Sequence, residues 1–265
     1  MGSHRVRWRI GLLAVLLLGM LVLLHRAQLF PPRGLTMVEQ PCATVANSTL
    51  ILPEGDWGAI CAYQAENKRL VAARIRPQLV LFGDSIFQDW REHQPGLFGD
   101  GWVNRGVRGQ GTMRLLARFR PDVIALKPRT VIIVGGINDL VAADTLIGPD
   151  QYIANIESLV DLAQANGITV ILATLPPVDR FSVRPGFAPQ AMTAALNRAL
   201  RDLAQRRGLI LADFNAVLVA PDGRSQRAGF SDDGIHPTAA AYRELEPVVR
   251  AALAEAEAKR NKVRP

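Results

Sequence analysis

Lysine and aromatic residues are scarce in this sequence, and their scarcity argues against one broad class of function. The 31 basic residues include only four lysines, and aromatic residues make up 6% of the chain. Although the formal net charge is +7, most arginines lie among acidic residues, and no basic stripe carries the stacking aromatics that nucleic-acid binders use. The one basic cluster, residues 259–264, is typical of a solvated terminus. We therefore expect no nucleic-acid partner.

Cysteine is also scarce, since the chain has only Cys42 and Cys61. Two ligands are too few for a structural zinc site, and neither cysteine lies near a histidine motif that would make it a nucleophile. In an oxidising compartment the pair is most simply one disulfide that closes a loop. Two separate buried thiols are the alternative.

Long hydrophobic runs are absent except for residues 10–24, which follow Arg5, Arg7 and Arg9. As a helix rising ~1.5 Å per residue, this run would span ~22 Å, less than the ~30 Å hydrocarbon core of a bilayer. Its length and basic start suit a signal peptide. The lack of a small-x-small cleavage site favours an uncleaved signal anchor instead. A buried helix of the folded domain is the third alternative.

These features divide the chain into three parts. Residues 1–26 are predicted to be a signal anchor or signal peptide, residues 27–55 a connector, and residues 56–265 one domain. Because basic residues stay on the cytoplasmic side, the domain would lie in the periplasm, anchored to the inner membrane. Secretion to the periplasm after cleavage is the alternative.

Beyond residue 56, buried-strand patterns alternate with helical ones. Strands are predicted at 78–83, WVNRG, 130–136, 168–174 and 209–213, and helices at 57–73, 112–119, 150–165, 189–207 and after His236. Asp56 is predicted to cap the first of these helices, and Pro237 to lie in the first turn of the last. Strands separated by helices imply a parallel sheet covered on both faces.

Four short segments carry polar residues that suggest chemistry. They are Gly-Asp-Ser at 83–85, Asn-Arg-Gly-Val-Arg-Gly at 104–109, Gly-Ile-Asn-Asp at 136–139 and Asp-Gly-Ile-His at 233–236. Three of them follow predicted strands. Because ligands bind beyond the carboxyl ends of parallel strands, these three are expected to meet at one edge of the sheet.

The segments supply a candidate nucleophile, base and acid. Ser85 lies at a strand–turn–helix position suited to an exposed hydroxyl. His236 has Asp233 three residues before it, a spacing that lets the carboxylate orient the imidazole towards a serine. Taken alone, Ser85 would equally suit a helix N-cap, and His236 a helix-start histidine capped by the aspartate.

Donors for a developing oxyanion are also available. The candidates are the backbone amides of Ser85 and Gly109 and the side-chain amide of Asn138. Asn138 alone would suit a turn, and Gly109 alone a backbone position with positive φ.

In identity, order and approximate spacing, the four segments resemble the blocks of the SGNH, or GDSL, hydrolase superfamily, and the similarity extends over residues 57–253. The resemblance implies an α/β fold, a three-layer α/β/α sandwich around a five-stranded parallel sheet of flavodoxin-like type. It also implies ester hydrolysis by Ser85, Asp233 and His236, with no metal or organic cofactor. Two departures are Phe87, expected to narrow the mouth of the pocket, and Gln110, expected to change local hydrogen bonding.

The main hypothesis is hydrolysis of acyl esters through an acyl-serine intermediate in the cell envelope. Envelope O-acyl transfer is the alternative, followed by a catalytically silent binding module; a metal-dependent role for Asp232, Asp233 and His236 lacks further ligands. The substrate would be a small-molecule, lipid or acylated glycan ester. Residues 179–187 are expected to form a loop near the site, with arginines that favour an anionic substrate. Its phenylalanines would either line an acyl slot or pack within a lid. We expect a monomer.

Overall fold

A computed structural model describes Cys42 and residues 55–99, 101–141 and 147–263. The N-terminal apolar run at 10–24 and nearly all of the predicted connector lie outside the described residues. Within the described ranges, no helix is long and apolar enough to cross a membrane. The division into anchor, connector and domain stays a prediction.

Five short parallel strands form the centre of the fold. They are β1 (Leu79–Gly83), β2 (Trp102–Gly106), β3 (Thr130–Ile133), β4 (Thr169–Ala173) and β5 (Ile210–Ala212). Their order in the sheet is β2-β1-β3-β4-β5, and every neighbouring pair is parallel. Most strand residues are aliphatic and buried, as expected where helices cover both faces of a sheet. The five-stranded parallel sheet is therefore confirmed.

Helices cover both faces of this sheet. The described residues form α1 (Gln64–Ala72), α2 (Ser85–His93), α3 (Thr112–Asp122), α4 (Pro149–Ala165), α5 (Gln190–Arg207), α6 (Phe214–Leu218) and α7 (Ala239–Val263). Helices α2, α6 and α7 pack together on one face, whereas α1, α3, α4 and α5 pack on the other. The predicted three-layer architecture is confirmed.

An aromatic cluster fills the core beneath α2 and α7. The Phe87 ring lies 6.2 Å from the rings of both Trp90 and Phe214, and Trp90 stacks on Tyr242 at 5.1 Å. Phe87 is fully buried. The expectation that its ring narrows the mouth of a pocket was wrong, because the side chain turns into the core.

Two local predictions differ from the structure, and one short helix was not predicted. The first helix begins at Gln64 rather than at residue 57, because the preceding segment forms turns in which the Asp56 carboxylate accepts hydrogen bonds from the Ile60 and Cys61 amides at 2.8 and 2.9 Å. Pro237 precedes the last helix, which begins at Ala239. The short helix α6 was not predicted; Asp213 caps it by accepting from the Ala216 amide.

Cys42 and Cys61 form a disulfide across a sequence separation of 19 residues. The bond joins Cys42 to the turns that precede α1. Two residues further on, the Tyr63 hydroxyl donates to the carbonyl of Gly106 at the end of β2. The disulfide therefore holds the start of the described chain against the sheet.

Candidate active site

The candidate site lies where the path of the chain through the sheet changes direction. From β1 the chain moves outward to β2, and it then crosses back to β3 on the other side of β1. A crevice forms beyond the carboxyl ends of strands at such a switch point. Ser85 lies two residues after the end of β1, and Asn138 follows β3, so both segments reach this crevice.

Ser85 is the first residue of α2. The preceding residue, Asp84, is the N-cap, and its carboxylate accepts a hydrogen bond from the Ile86 amide at 3.0 Å. This cap fixes the turn between strand and helix. The Ser85 hydroxyl is then held at the positive end of the α2 dipole.

Ser85, His236 and Asp233 are joined by a chain of hydrogen bonds. His236 Nε2 lies 2.9 Å from Ser85 Oγ, and His236 Nδ1 lies 2.6 Å from Asp233 Oδ2. The second oxygen of Asp233 accepts from the Ile235 and His236 amides, each at 2.8 Å. The carboxylate therefore fixes both the backbone of its own loop and the orientation of the imidazole.

These contacts set the charge state of Asp233. Partial burial alone would raise the pKa of its carboxyl, but hydrogen bonds from the His236 ring and from the His236 and Ile235 amides outweigh burial. Together they lower that pKa to about 2. The carboxylate is therefore ionised throughout the neutral range.

The loop that carries His236 is fastened to the segment after β4. Gly234 has a φ of +87°, and a Cβ there would come within 2.9 Å of Arg180 Cγ, so only glycine suits this close approach. The Gly234 carbonyl accepts from the Asp179 amide at 2.8 Å. Gln226 donates to the carbonyls of Pro177 and Ile235 at 2.7 and 3.1 Å.

Asn138 lies between two of the other segments. Its Nδ2 is 3.1 Å from the Gln110 carbonyl oxygen and 3.5 Å from Asp84 Oδ2. Gly109, the residue before Gln110, has a φ of +77°, and a Cβ at this position would meet nothing within 4 Å. The glycine is therefore required for its backbone conformation, and the space beside it is open to a ligand.

Arg108 belongs to the site although the sequence pattern gave it no role. Its NH1 lies 3.4 Å from His236 Nε2, and its NH2 donates to Asp89 Oδ1 at 2.6 Å. The Arg108 side chain is 53% exposed and that of Asp89 only 8%. The only available signal was position, since Arg108 directly precedes Gly109.

Two buried carboxyl groups, Asp84 and Asp139, also flank the site. Burial raises the pKa of Asp84 to about 7, although the Ile86 amide and His236 act in the opposite direction. Burial likewise raises the pKa of Asp139, against hydrogen bonds from the amide and hydroxyl of Thr112. The Thr112 amide donates to Asp139 Oδ2 at 2.9 Å, and the Thr112 hydroxyl donates to Asp139 Oδ1 at 2.9 Å. These two bonds attach the start of α3 to the Asn138 turn.

A cavity of about 440 Å³ opens next to the Asn138 turn. It is lined mainly by apolar side chains, with a carboxylate and a guanidinium at its edges: Asp139, Leu140, Ile147, Gly148, Pro149, Tyr152, Arg184, Phe187, Met192 and Leu196. The expected loop at 179–187 thus contributes Arg184 and Phe187. Phe181 is buried and stacks on Phe187 at 6.0 Å, and Arg180 donates to the Asp232 carbonyl.

A buried hydrogen-bond network around Arg118 connects the ends of β1 and β2 to the segment that contains Gln110. The Arg118 guanidinium is fully buried and donates to the carbonyls of Gly83 and Arg105 and to the Asp122 carboxylate. It also donates to the Gln110 side chain, which in turn donates to the Gly58 carbonyl. Gln110 therefore links the buried Arg118 to the turn that contains Gly58.

Metal ligands are not clustered in the described part of the chain. No group of three or more His, Cys, Asp or Glu side chains there is arranged to hold a metal ion. Asp233 and His236 instead contact each other and Ser85.

Residues 81–244 match the GDSL-like lipase/acylhydrolase family. None of the curated proteins matches the chain. Among solved structures, a candidate acylhydrolase from Bacteroides fragilis is 31% identical, with a TM-score of 0.71, over 76% of this chain and 98% of that one. A GDSL-like lipase from Bacteroides thetaiotaomicron is 29% identical, with a TM-score of 0.70, over 75% and 98%.

An acetylxylan esterase from Geobacillus stearothermophilus is more distant. It is 22% identical, with a TM-score of 0.53, and the match covers 66% of this chain and 93% of that one. At this identity the likeness shows a shared fold.

Proposed function

The chain belongs to the GDSL-like lipase/acylhydrolase family and is an ester hydrolase, and we propose that it cleaves acyl esters through a covalent intermediate on Ser85. The hydrogen-bonded chain from Ser85 Oγ through His236 to Asp233 carries this proposal. It supplies a nucleophile, a base within reach of the nucleophile's proton, and an acid that orients the base.

Acylation begins with transfer of the Ser85 hydroxyl proton to His236 Nε2. The serine oxygen forms a bond to the ester carbonyl carbon, and the carbonyl π electrons move onto oxygen. His236 then gives its proton to the leaving alcohol as the carbon–oxygen bond breaks. The products of this half-reaction are free alcohol and acyl-Ser85.

Deacylation repeats these steps with water. His236 Nε2 removes a proton from water, the resulting hydroxide attacks the acyl carbon, and the proton passes to Ser85 Oγ as the carboxylic acid leaves. Asp233 stays ionised throughout, because its pKa of about 2 lies well below neutral pH. Its charge stabilises the imidazolium that forms at each proton transfer.

The negative charge that develops on the ester carbonyl oxygen needs hydrogen-bond donors on the side of the carbonyl group that faces away from His236. The backbone amides of Ser85 and Gly109 and the Nδ2 group of Asn138 are the proposed donors. Asn138 has two N–H bonds, and its shorter contact holds the Gln110 carbonyl at 3.1 Å. The longer contact to Asp84, at 3.5 Å, is the one that an oxyanion would replace.

The acyl part of the substrate fits the cavity next to Asn138. Most of its lining is aliphatic or aromatic, and its volume of about 440 Å³ accommodates an acyl chain rather than acetate alone. Phe187 is the phenylalanine of the 179–187 loop that lines this slot.

The proposed location is the cell envelope. The apolar run at 10–24 behind three arginines would anchor the chain in the inner membrane, with the domain in the periplasm. The Cys42–Cys61 disulfide supports this placement, because disulfides persist in oxidising compartments.

Hydrolysis of a p-nitrophenyl ester series from acetate to palmitate tests the proposal. The full chain in detergent would be compared with Ser85→Ala and His236→Ala, each expected to lower kcat by at least about 10⁴-fold. Ser158→Ala, on the exposed side of α4, and His93→Ala are matched controls expected to keep near-normal rates.

A second measurement reports the intermediate directly. A p-nitrophenyl ester mixed with wild-type enzyme at low pH, followed by peptide mass spectrometry, should place the acyl group on the peptide that contains Ser85, and His236→Ala should carry much less of the adduct. Wild-type turnover by Ser85→Ala, or an acyl adduct elsewhere, would refute the assignment. Acylation without release to water would indicate O-acyl transfer instead.

A further inference from the structure

Arg108 places a positive charge beside the atom that must itself become positive. Its NH1 is 3.4 Å from His236 Nε2, the nitrogen proposed to accept the Ser85 proton. Formation of the imidazolium next to a guanidinium is electrostatically unfavourable. The Asp89 carboxylate, 2.6 Å from the guanidinium, offsets part of this positive charge, and an anion on the substrate would offset more of it.

The position of Arg108 identifies the part of the substrate that it faces. His236 Nε2 delivers its proton to the leaving alcohol oxygen, so that oxygen must lie within hydrogen-bond distance of Nε2. A guanidinium 3.4 Å from the same nitrogen is then next to the alcohol part of the ester. The acyl part would then occupy the acyl cavity proposed beside Asn138.

The Arg108 guanidinium is oriented by its ion pair with Asp89 and has further N–H groups that can bind a ligand. One of its NH2 protons goes to Asp89 at 2.6 Å, and the Arg108 amide donates to Gln88 Oε1. An arginine carries five N–H donors, and this side chain is 53% exposed. The remaining N–H bonds can therefore reach a ligand in the crevice without breaking the pair with Asp89.

We propose that Arg108 forms a subsite for a negatively charged group, a carboxylate or phosphate, on the alcohol part of the substrate. An anion bound there offsets the charge of Arg108 while His236 becomes protonated, and a planar fork suits either oxyanion. Preferred substrates are thus esters that combine an apolar acyl chain with an anionic alcohol. The inference rests on the proposed esterase function and specifies its substrate class.

The test is a ratio of rates on two matched ester pairs. The carboxylate pair is meta-carboxyphenyl and meta-carbamoylphenyl butanoate; the phosphate pair is glycerol monobutanoate phosphate and glycerol monobutanoate. For each enzyme, kcat/KM on the anionic ester is divided by that on its neutral partner, so a general loss of activity cancels. The two pairs distinguish a carboxylate from a phosphate ligand.

Arg108→Ala should lower this ratio by about twofold to fivefold in at least one pair, the range expected for a half-exposed charge contact. Arg91→Ala, which removes the same charge from an exposed position on α2, should leave the ratio unchanged. Asp89→Asn should raise the ratio, because Arg108 then lacks its counter-charge. An unchanged ratio in Arg108→Ala for both pairs would overturn the proposal.

Salt dependence keeps the proposal testable if Arg108→Ala does not fold. In the wild-type enzyme the ratio should fall with rising ionic strength, since exposed charge contacts are screened, and Arg108→Lys should retain part of the preference. A salt-independent ratio would overturn the subsite. If the wild-type enzyme cleaves neither member of a pair nor any p-nitrophenyl ester, the esterase proposal itself fails.

Discussion

Replacement of Asp84 by asparagine should make the folding stability of the protein less dependent on pH. Burial raises the pKa of this carboxyl from 3.8 to about 7 in the folded protein. The unfolded chain releases the same proton near its ordinary pKa. Between these two values the folded state holds a proton that the unfolded state has lost, so stability falls as pH rises.

The size of the effect follows from the two pKa values. A difference of roughly three units corresponds to about 4 kcal/mol when both titrations are complete, at 1.36 kcal/mol per unit. Between about pH 4.5 and pH 8 the Asp84 contribution changes by about 3 kcal/mol. Asparagine keeps the oxygen that accepts from the Ile86 amide and removes the titration.

Urea unfolding of both proteins across this pH range measures the difference. The two should have similar stability near pH 4.5, and Asp84→Asn should be more stable by about 3 kcal/mol near pH 8, or roughly 6–12 °C in Tm. Asp202→Asn makes the same change at an exposed position on α5 and controls for loss of one carboxylate. Parallel stability curves for wild type and Asp84→Asn would refute the raised pKa.

Two further predictions concern elements that hold the site in place. Arg118→Met should lower the free energy of unfolding by about 3–5 kcal/mol, because it removes the only ion-pair partner that the described residues give the fully buried Asp122 carboxylate and leaves the hydrogen bond from Asn67. Urea unfolding of Arg118→Met and of the double variant Arg118→Met/Asp122→Leu checks this, and the double variant should recover part of the loss. Conversion of both Cys42 and Cys61 to serine should lower the free energy of unfolding by about 3 kcal/mol, because the unfolded chain gains loop entropy. The kcat should stay near the wild-type value. Equal stability of the variant and the oxidised wild-type protein would contradict the prediction.

Most of the sheet could be predicted because all of its strands except β2 are largely apolar. β1, β3 and β4 are short runs of aliphatic residues with glycine, proline or a polar residue after each, and burial on both faces makes such runs recognisable. The short helix α6 could not be predicted in this way. Five residues are too few to show a helical period, and α6 is stabilised by its cap and by packing against α7.

The candidate site was predictable where residues follow parallel strands, as Ser85 and Asn138 do, and where local spacing suits the chemistry. The distance from Asp233 to His236 along the chain is three residues, so their contact is visible in the sequence. The roles of Arg108 and Arg118 depend on contacts with distant residues. Arginine is usually exposed, and nothing in the sequence around Arg118 indicates full burial beside Asp122, Gly83 and Gln110.

The distance along the chain between Ser85 and His236 has a consequence for synthesis of the protein. The two residues are 151 positions apart, yet their side chains lie 2.9 Å from each other. Strands β1 to β4 are complete by residue 173, before the His236 loop has been made. Helix α7 then docks on the serine turn through the Tyr242 hydroxyl, which donates to the Ile86 carbonyl at 2.8 Å. On the proposed mechanism, a nascent chain therefore carries an inert serine, and hydrolysis begins only once the last helix has folded.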